Sequence, residues 1–175
     1  GLGTSGTNLR IGLGSNYGLN NNTMVGHYAG DYLTTGQGNT LMGYLAGRSI
    51  TEGKQNTCIG EYAGVDITTA IGNTLVGQNA GPDVITGAAN TLIGQNAGAV
   101  IIVGGSNTCI GQWAGSKITG NYNTCIGANS GIEVTTGQNN ICIGVSATTS
   151  ATNNHCIAFD NDAKDETKDY GVYFN

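Results

Sequence analysis

The chain is predicted to be a single all-β domain, wound as a parallel β-solenoid (a β-roll) of about nine coils and packed or intertwined as a homotrimer. Three observations predict this. An Asn-Thr pair opens the same phrase seven times, at Asn22, Asn39, Asn56, Asn73, Asn90, Asn107 and Asn123, with a 17-residue period broken by one shorter unit between the last two. Glycine reaches 31 of 175 residues without a Gly-X-Y triplet, which suits a tight turn at fixed intervals and excludes collagen. Val, Ile and Leu recur at fixed phases instead of being scattered, which argues against disorder.

The phrase reads N-T-x-[IVM]-G-x-x-[AS]-G, followed three places on by a Leu, Ile or Val. With the repeat Asn as position one, position five is always Gly, position eight is Ala (Ser130 in the seventh unit) and position nine is Gly. Glycines at two places in every unit would cost a helix several kcal/mol, so helix is a poor reading. Two short strands per unit are expected, one over positions two to four and one around position twelve (Leu33, Ile50, Ile67, Val84, Ile101, Ile118, Val134), with Gly-centred corners between them. The Asn column (Asn22, Asn39, Asn56, Asn73, Asn90, Asn107, Asn123 and Asn140) is expected to form a ladder of side-chain amides linking coil to coil. That role is structural.

The units divide the chain into an N-terminal degenerate coil or cap over 1–21, seven repeats over 22–139, degenerate C-terminal coils over 140–158 and an acidic cap or tip segment over 159–175. Asn8 precedes Asn22 by less than a full period, and Asn154 is expected to open an equally short last coil after Asn140. Departure from consensus at both ends is what a stack needs for caps.

Positions three and four are both apolar: Met24-Val25, Leu41-Met42, Cys58-Ile59, Leu75-Val76, Leu92-Ile93, Cys109-Ile110, Cys125-Ile126 and Cys142-Ile143. Adjacent strand residues point to opposite faces, so one column fills the solenoid and the other forms an apolar stripe on its outside. Such a stripe exceeds what soluble monomers usually expose, and three copies around an axis is the simplest closed cover for a rod. The pattern leaves open which column faces the axis. Charged residues of the complete units avoid both columns and mark the outer wall.

All five cysteines, Cys58, Cys109, Cys125, Cys142 and Cys156, fall two places after an Asn of the series. They share that column with Leu and Met, so they are read as small hydrophobes and not as disulfide partners. Their separation does not suit metal ligation, and His27 and His155 have no partner at motif spacing. No metal, cofactor or catalytic constellation is expected, and a repeat that supplies like residues in rows argues against an enzyme. The net charge of −5, with six dispersed Lys and Arg, argues against nucleic acid or an anionic membrane as partner. No apolar run is long enough for membrane insertion. The acid-rich stretch 160–166 lacks the Gly and Glu that an EF-hand needs, and is read as a solvated turn leading into a last strand over 170–174.

The phrase N-T-x-I-G-x-x-A-G-x-x-I-T, read from Asn56 to Thr68 and from Asn107 to Thr119, resembles repeats in the shafts of phage tail fibres and related bacterial surface fibres. Those repeats often precede an endosialidase-type intramolecular chaperone. The pattern is also similar to the β-roll heads of trimeric autotransporter adhesins, whose coils are shorter. The resemblance implies a homotrimeric fibre segment, extracellular on a virion or a bacterial surface, whose partners are its own copies and a cell-surface glycan or protein receptor. It carries over no catalytic residue. It also implies two origins for an end at Asn175, self-release of such a chaperone or a truncated piece, and the first is the expectation.

Tyr44, Tyr62, Trp113 and Tyr122 lie outside the expected core and are candidates for glycan contact, since aromatic faces stack on sugar rings. The plainer reading makes them tolerated corner residues or contacts to a neighbouring chain. From a different class, an ice-binding solenoid is the alternative, because Thr at position two and Val or Ile at position four share a face and form a T-x-[VI] array.

Overall fold

The computed structural model describes residues 21–159, together with the backbone of 9–11 and 172–174. Among the described residues, eleven three-residue strands follow one another: β1 (Leu9–Ile11), β2 (Thr23–Val25), β3 (Thr40–Met42), β4 (Thr57–Ile59), β5 (Thr74–Val76), β6 (Thr91–Ile93), β7 (Thr108–Ile110), β8 (Thr124–Ile126), β9 (Ile141–Ile143), β10 (Ile157–Phe159) and β11 (Val172–Phe174). They form one sheet in strict sequence order, every neighbouring pair parallel. Each coil therefore returns to its starting point one strand further along. The product is a β-solenoid whose nine coil-to-coil steps from β1 to β10, at about 4.8 Å each, make a rod on the order of 40 Å long.

Register follows the repeat. Thr23 pairs with Thr40, Thr40 with Thr57, and so on to Thr108 with Thr124, so the single short unit is absorbed outside the strands. Hydrogen bonding between coils continues past each strand. The Gly43 N–H donates to the Val25 carbonyl at 2.8 Å and the Leu45 N–H to the His27 carbonyl at 3.0 Å, and the same pair of bonds recurs up the rod. Position five requires glycine. Its φ runs from 127° to 140°, and a Cβ added at Gly77 would sit 2.7 Å from the carbonyl carbon of Gly94 in the next coil.

The alternation along each strand decides which apolar column lies inside. Position three is buried in every described coil, with Leu41, Cys58, Leu75, Leu92, Cys109, Cys125 and Cys142 all at 0% exposure. It packs with the Ala of position eight and the Leu, Ile or Val of position twelve into one continuous core. Position four turns outward.

Position twelve does not form the second strand that the sequence suggested. Its N–H is used within its own coil: Ile50 donates to the Gly47 carbonyl at 3.2 Å and Ile67 to that of Gly64 at 3.2 Å. Just beyond it, three successive N–H groups (Thr34, Thr35 and Gly36) converge on the single carbonyl of Thr51 at 2.9, 3.1 and 3.1 Å. A ladder needs alternate N–H and C=O groups offered to both neighbours. A backbone spent on turns cannot supply them, so each coil carries one strand.

The last coil is also longer than its letters suggested. Ala158, not Cys156, pairs with Cys142, and Ile157 pairs with Ile141. Cys156 therefore stands in the Asn column, and Asn154 does not open a coil. The acidic stretch 160–166 lies outside the described residues.

Candidate functional site

Three rows of side chains run the length of the rod, and each uses its chemistry differently. The Asn row is internal. The Nδ2 group of Asn39 donates to Asn22 Oδ1 at 3.0 Å and to the Gly53 carbonyl at 2.9 Å, and its backbone N–H donates to the same Oδ1 at 2.8 Å. The pattern repeats through Asn56, Asn73, Asn90, Asn107, Asn123 and Asn140. One amide thus links two coils and also closes its own coil near the far end, a second duty that the sequence did not disclose. Every member is fully buried. The row ends where the Cys156 N–H donates to Asn140 Oδ1 at 3.0 Å, since a thiol cannot pass the pattern on.

The thiols of position three are internal as well, and none of the five cysteines forms a disulfide. Burial pushes the Cys58 thiol up to about 12. Cys109, Cys125 and Cys142 stack on consecutive strands. The thiol of Cys125 is raised by its contact with Cys109 and by burial, and that of Cys142 by its contact with Cys125 and by burial. A protonated thiol is a poor nucleophile and a poor ligand. Among the described residues, no three His, Cys, Asp or Glu side chains are grouped to hold a metal ion.

The second row is the outer face of the sheet. Thr at position two is half-buried by its neighbours, and position four presents Val25, Met42, Ile59, Val76, Ile93, Ile110, Ile126, Ile143 and finally Phe159. Met42, Ile93, Ile126 and Ile143 are 36–43% exposed. With three residues across at about 3.3 Å each and nine strands at about 4.8 Å, the projected face is on the order of 400 Å². It is regular, an aliphatic column running beside a threonine column.

The third row lies on the edge beside that face, at positions six and seven. His27 stacks on Tyr44 with ring centres 5.9 Å apart and planes 16° apart, and Tyr44 meets Tyr62 edge-to-face at 5.6 Å. Beyond them the row becomes polar: Gln78 donates to Glu61 at 3.0 Å, Gln95 to Gln78 at 2.9 Å and Gln112 to Gln95 at 2.8 Å. Of the four aromatic candidates, Tyr44 and Tyr62 are in contact, and Trp113 shares their edge three coils further along. Tyr122 does not join them. It directly precedes Asn123, on a different corner, and is 61% exposed.

The Glu-Gln-Gln-Gln row escaped the sequence reading, although Gln at position six in three successive units was its visible signal. His27, which has no metal or nucleophile partner at motif spacing, meets the ring of Tyr44 in the next repeat. Among the described residues, no helix is long and apolar enough to cross a membrane. Comparison with protein-family models, with curated proteins and with solved structures finds no match for this chain.

Proposed function

We propose that this solenoid is a non-catalytic shaft or tip-proximal segment of a homotrimeric extracellular attachment fibre, carried on a virion tail or a bacterial surface and serving adhesion to a host or prey cell. One observation carries the proposal: the outward apolar column of position four continues unbroken from Val25 to Phe159. An apolar patch of several hundred Å² on a soluble protein marks a contact surface. Each copy would bury on the order of 400 Å² at such a face, and three copies closed around one axis would leave no apolar stripe in water. A rod stabilised by identical coil-to-coil contacts suits a mechanical spacer, because each added coil contributes the same interface.

A second reading has its own support. The in-register Thr and Val or Ile ranks of positions two and four make a flat, regular T-x-[VI] surface of the kind that could order water as an ice-binding face. Light-scattering mass and thermal hysteresis, measured on the same preparation, separate the two. A mass of three times 17.7 kDa without hysteresis supports the fibre segment, and a single-chain mass with hysteresis supports ice binding.

A further inference from the structure

Tyr28, Tyr62 and Trp113, on the edge beside the outer face, stand where the backbone does not favour them. Position seven is left-handed in every described coil, with φ between 53° and 60°. Asn tolerates that conformation, and the chain uses it at Asn79, Asn96 and Asn129. Leu45 occupies it with its side chain buried, which offsets the strain. Tyr28 and Trp113 are 39% and 41% exposed, so burial does not account for them. Left-handed residues recur through the rod, Ser146 at this position and Gln55, Ala89 and Tyr122 at another corner among them, so it is the grouping of exposed rings on one edge, and not the strain, that marks the site.

The rings and amides also form a sequence along the edge. Tyr28, Tyr44 and Tyr62 occupy the first three repeat coils, with Tyr44 held between His27 and Tyr62. The Glu61 to Gln112 row follows, and Trp113 closes it, five steps and about 24 Å from Tyr28. Within the row, Gln78 and Gln95 each spend one N–H and one lone pair on their neighbours, and an exposed amide carries another of each. Glu61 is the sole carboxylate at positions six and seven of these coils, and neither Lys nor Arg occurs there.

We propose that this edge is a binding track for a neutral linear oligosaccharide. Its ring faces would lie on the tyrosines at one end and on Trp113 at the other, and its hydroxyls would bond to Gln78 and Gln95 between them. Aromatic faces pack against the apolar C–H faces of sugars, while amides exchange hydrogen bonds with hydroxyls. Anionic sugars lack a cationic partner on this edge and would meet Glu61. The inference goes beyond the fibre reading and does not depend on it.

The test uses cellohexaose and chitohexaose as probes, with a sialylated hexasaccharide as the anionic comparison. Trp113 is the one tryptophan, so its fluorescence reports on the track directly. A saturable change is expected with at least one neutral probe at millimolar concentration. Tyr62→Asn and Trp113→Asn, the latter followed by calorimetry, should each weaken binding by about ten-fold or more, with no loss of melting temperature and no change of mass. Asn already serves at this turn, so both variants should fold. No binding of either neutral probe, binding that both variants leave intact, tighter binding of the sialylated probe, or a changed mass in the variants would each overturn the proposal. A trimer indifferent to sugars removes this proposal alone, and a single chain that binds them removes the fibre reading alone.

Discussion

Asn73 donates its side-chain Nδ2 to Asn56 Oδ1 at 3.1 Å and, from the same nitrogen, to the Gly87 carbonyl at 2.8 Å. Its own Oδ1 accepts both the backbone N–H and the side-chain Nδ2 of Asn90, at 2.9 and 3.1 Å. Removing that amide orphans the Gly87 carbonyl and the Asn90 backbone N–H in a site closed to water. At about 1–3 kcal/mol for each buried group left unsatisfied, Asn73→Ala should lower stability by roughly 2–6 kcal/mol. Gln78→Ala, on the outside of the same coil and free of backbone strain, serves as the control in chemical denaturation. Equal midpoints for the two variants would contradict the role assigned to the ladder.

Leu92 and Ile93 are neighbours in the chain and opposites in the fold, one fully buried and the other 36% exposed. Leu92→Ala should destabilise the coil by about 2–5 kcal/mol, the usual result of emptying a core site. Ile93→Asp should leave circular dichroism unchanged while reducing the mass of the assembly, and Gln95→Asp should alter neither. If Ile93→Asp unfolds the chain and Leu92→Ala does not, the assignment of the columns is reversed.

The buried thiols give a pH signature. The Cys58 thiol is raised from an ordinary value near 9 to about 12, so it stays protonated in the fold while the unfolded chain ionises. The unfolded state then holds fewer protons than the native one, and stability falls as pH rises. The Cys58 contribution is intact below about pH 9 and should be lost between pH 9 and 12, at up to about 1.4 kcal/mol per pH unit. Replacing it, as in Cys58→Val, should flatten that part of the stability profile. An unchanged slope would mean that the thiol ionises as readily in the folded protein as in the unfolded chain.

Gly77→Ala tests the corner. With φ at 133° and the carbonyl of Gly94 in the path of a Cβ, no relaxation within one coil relieves the strain. The substitution should cost more than about 2 kcal/mol in thermal melts, whereas a melting point within error of the parent would show that the coil can open there.

The columns were legible in the sequence because a stack sets like residues upon like, so a fixed period translates directly into register. The second strand was not legible. β-branched residues at position twelve, such as Ile50, look the same whether their N–H bonds the next coil or, as here, turns back to Gly47. The register of the last coil misled for a different reason. Asn154-His155-Cys156-Ile157 matches Asn140-Ile141-Cys142-Ile143 by letters, yet the true alignment is displaced by two residues. A slip of two preserves which side chains face inward, so hydrophobic alternation cannot detect it. The strand pairing and the bond from the Cys156 N–H to Asn140 fix it. The edge site was half legible: its aromatic residues were visible, but their grouping depends on which corner each occupies, and that set Tyr122 apart from Tyr44 and Tyr62.

The two methionines provide the most direct test of whether the outer apolar column is covered. Met24 lies in the interior column at 3% exposure, and Met42 lies on the face at 43% in the single chain. Peroxide converts an accessible methionine to its sulfoxide, and mass spectrometry of peptides reads the two rates separately. Met42 is expected to be shielded in the native assembly, oxidising about as slowly as Met24, and to become fast once Ile93→Asp separates the chains. A Met42 that oxidises far faster than Met24 in the untouched protein would mean that the face is wet, and the fibre account would fail.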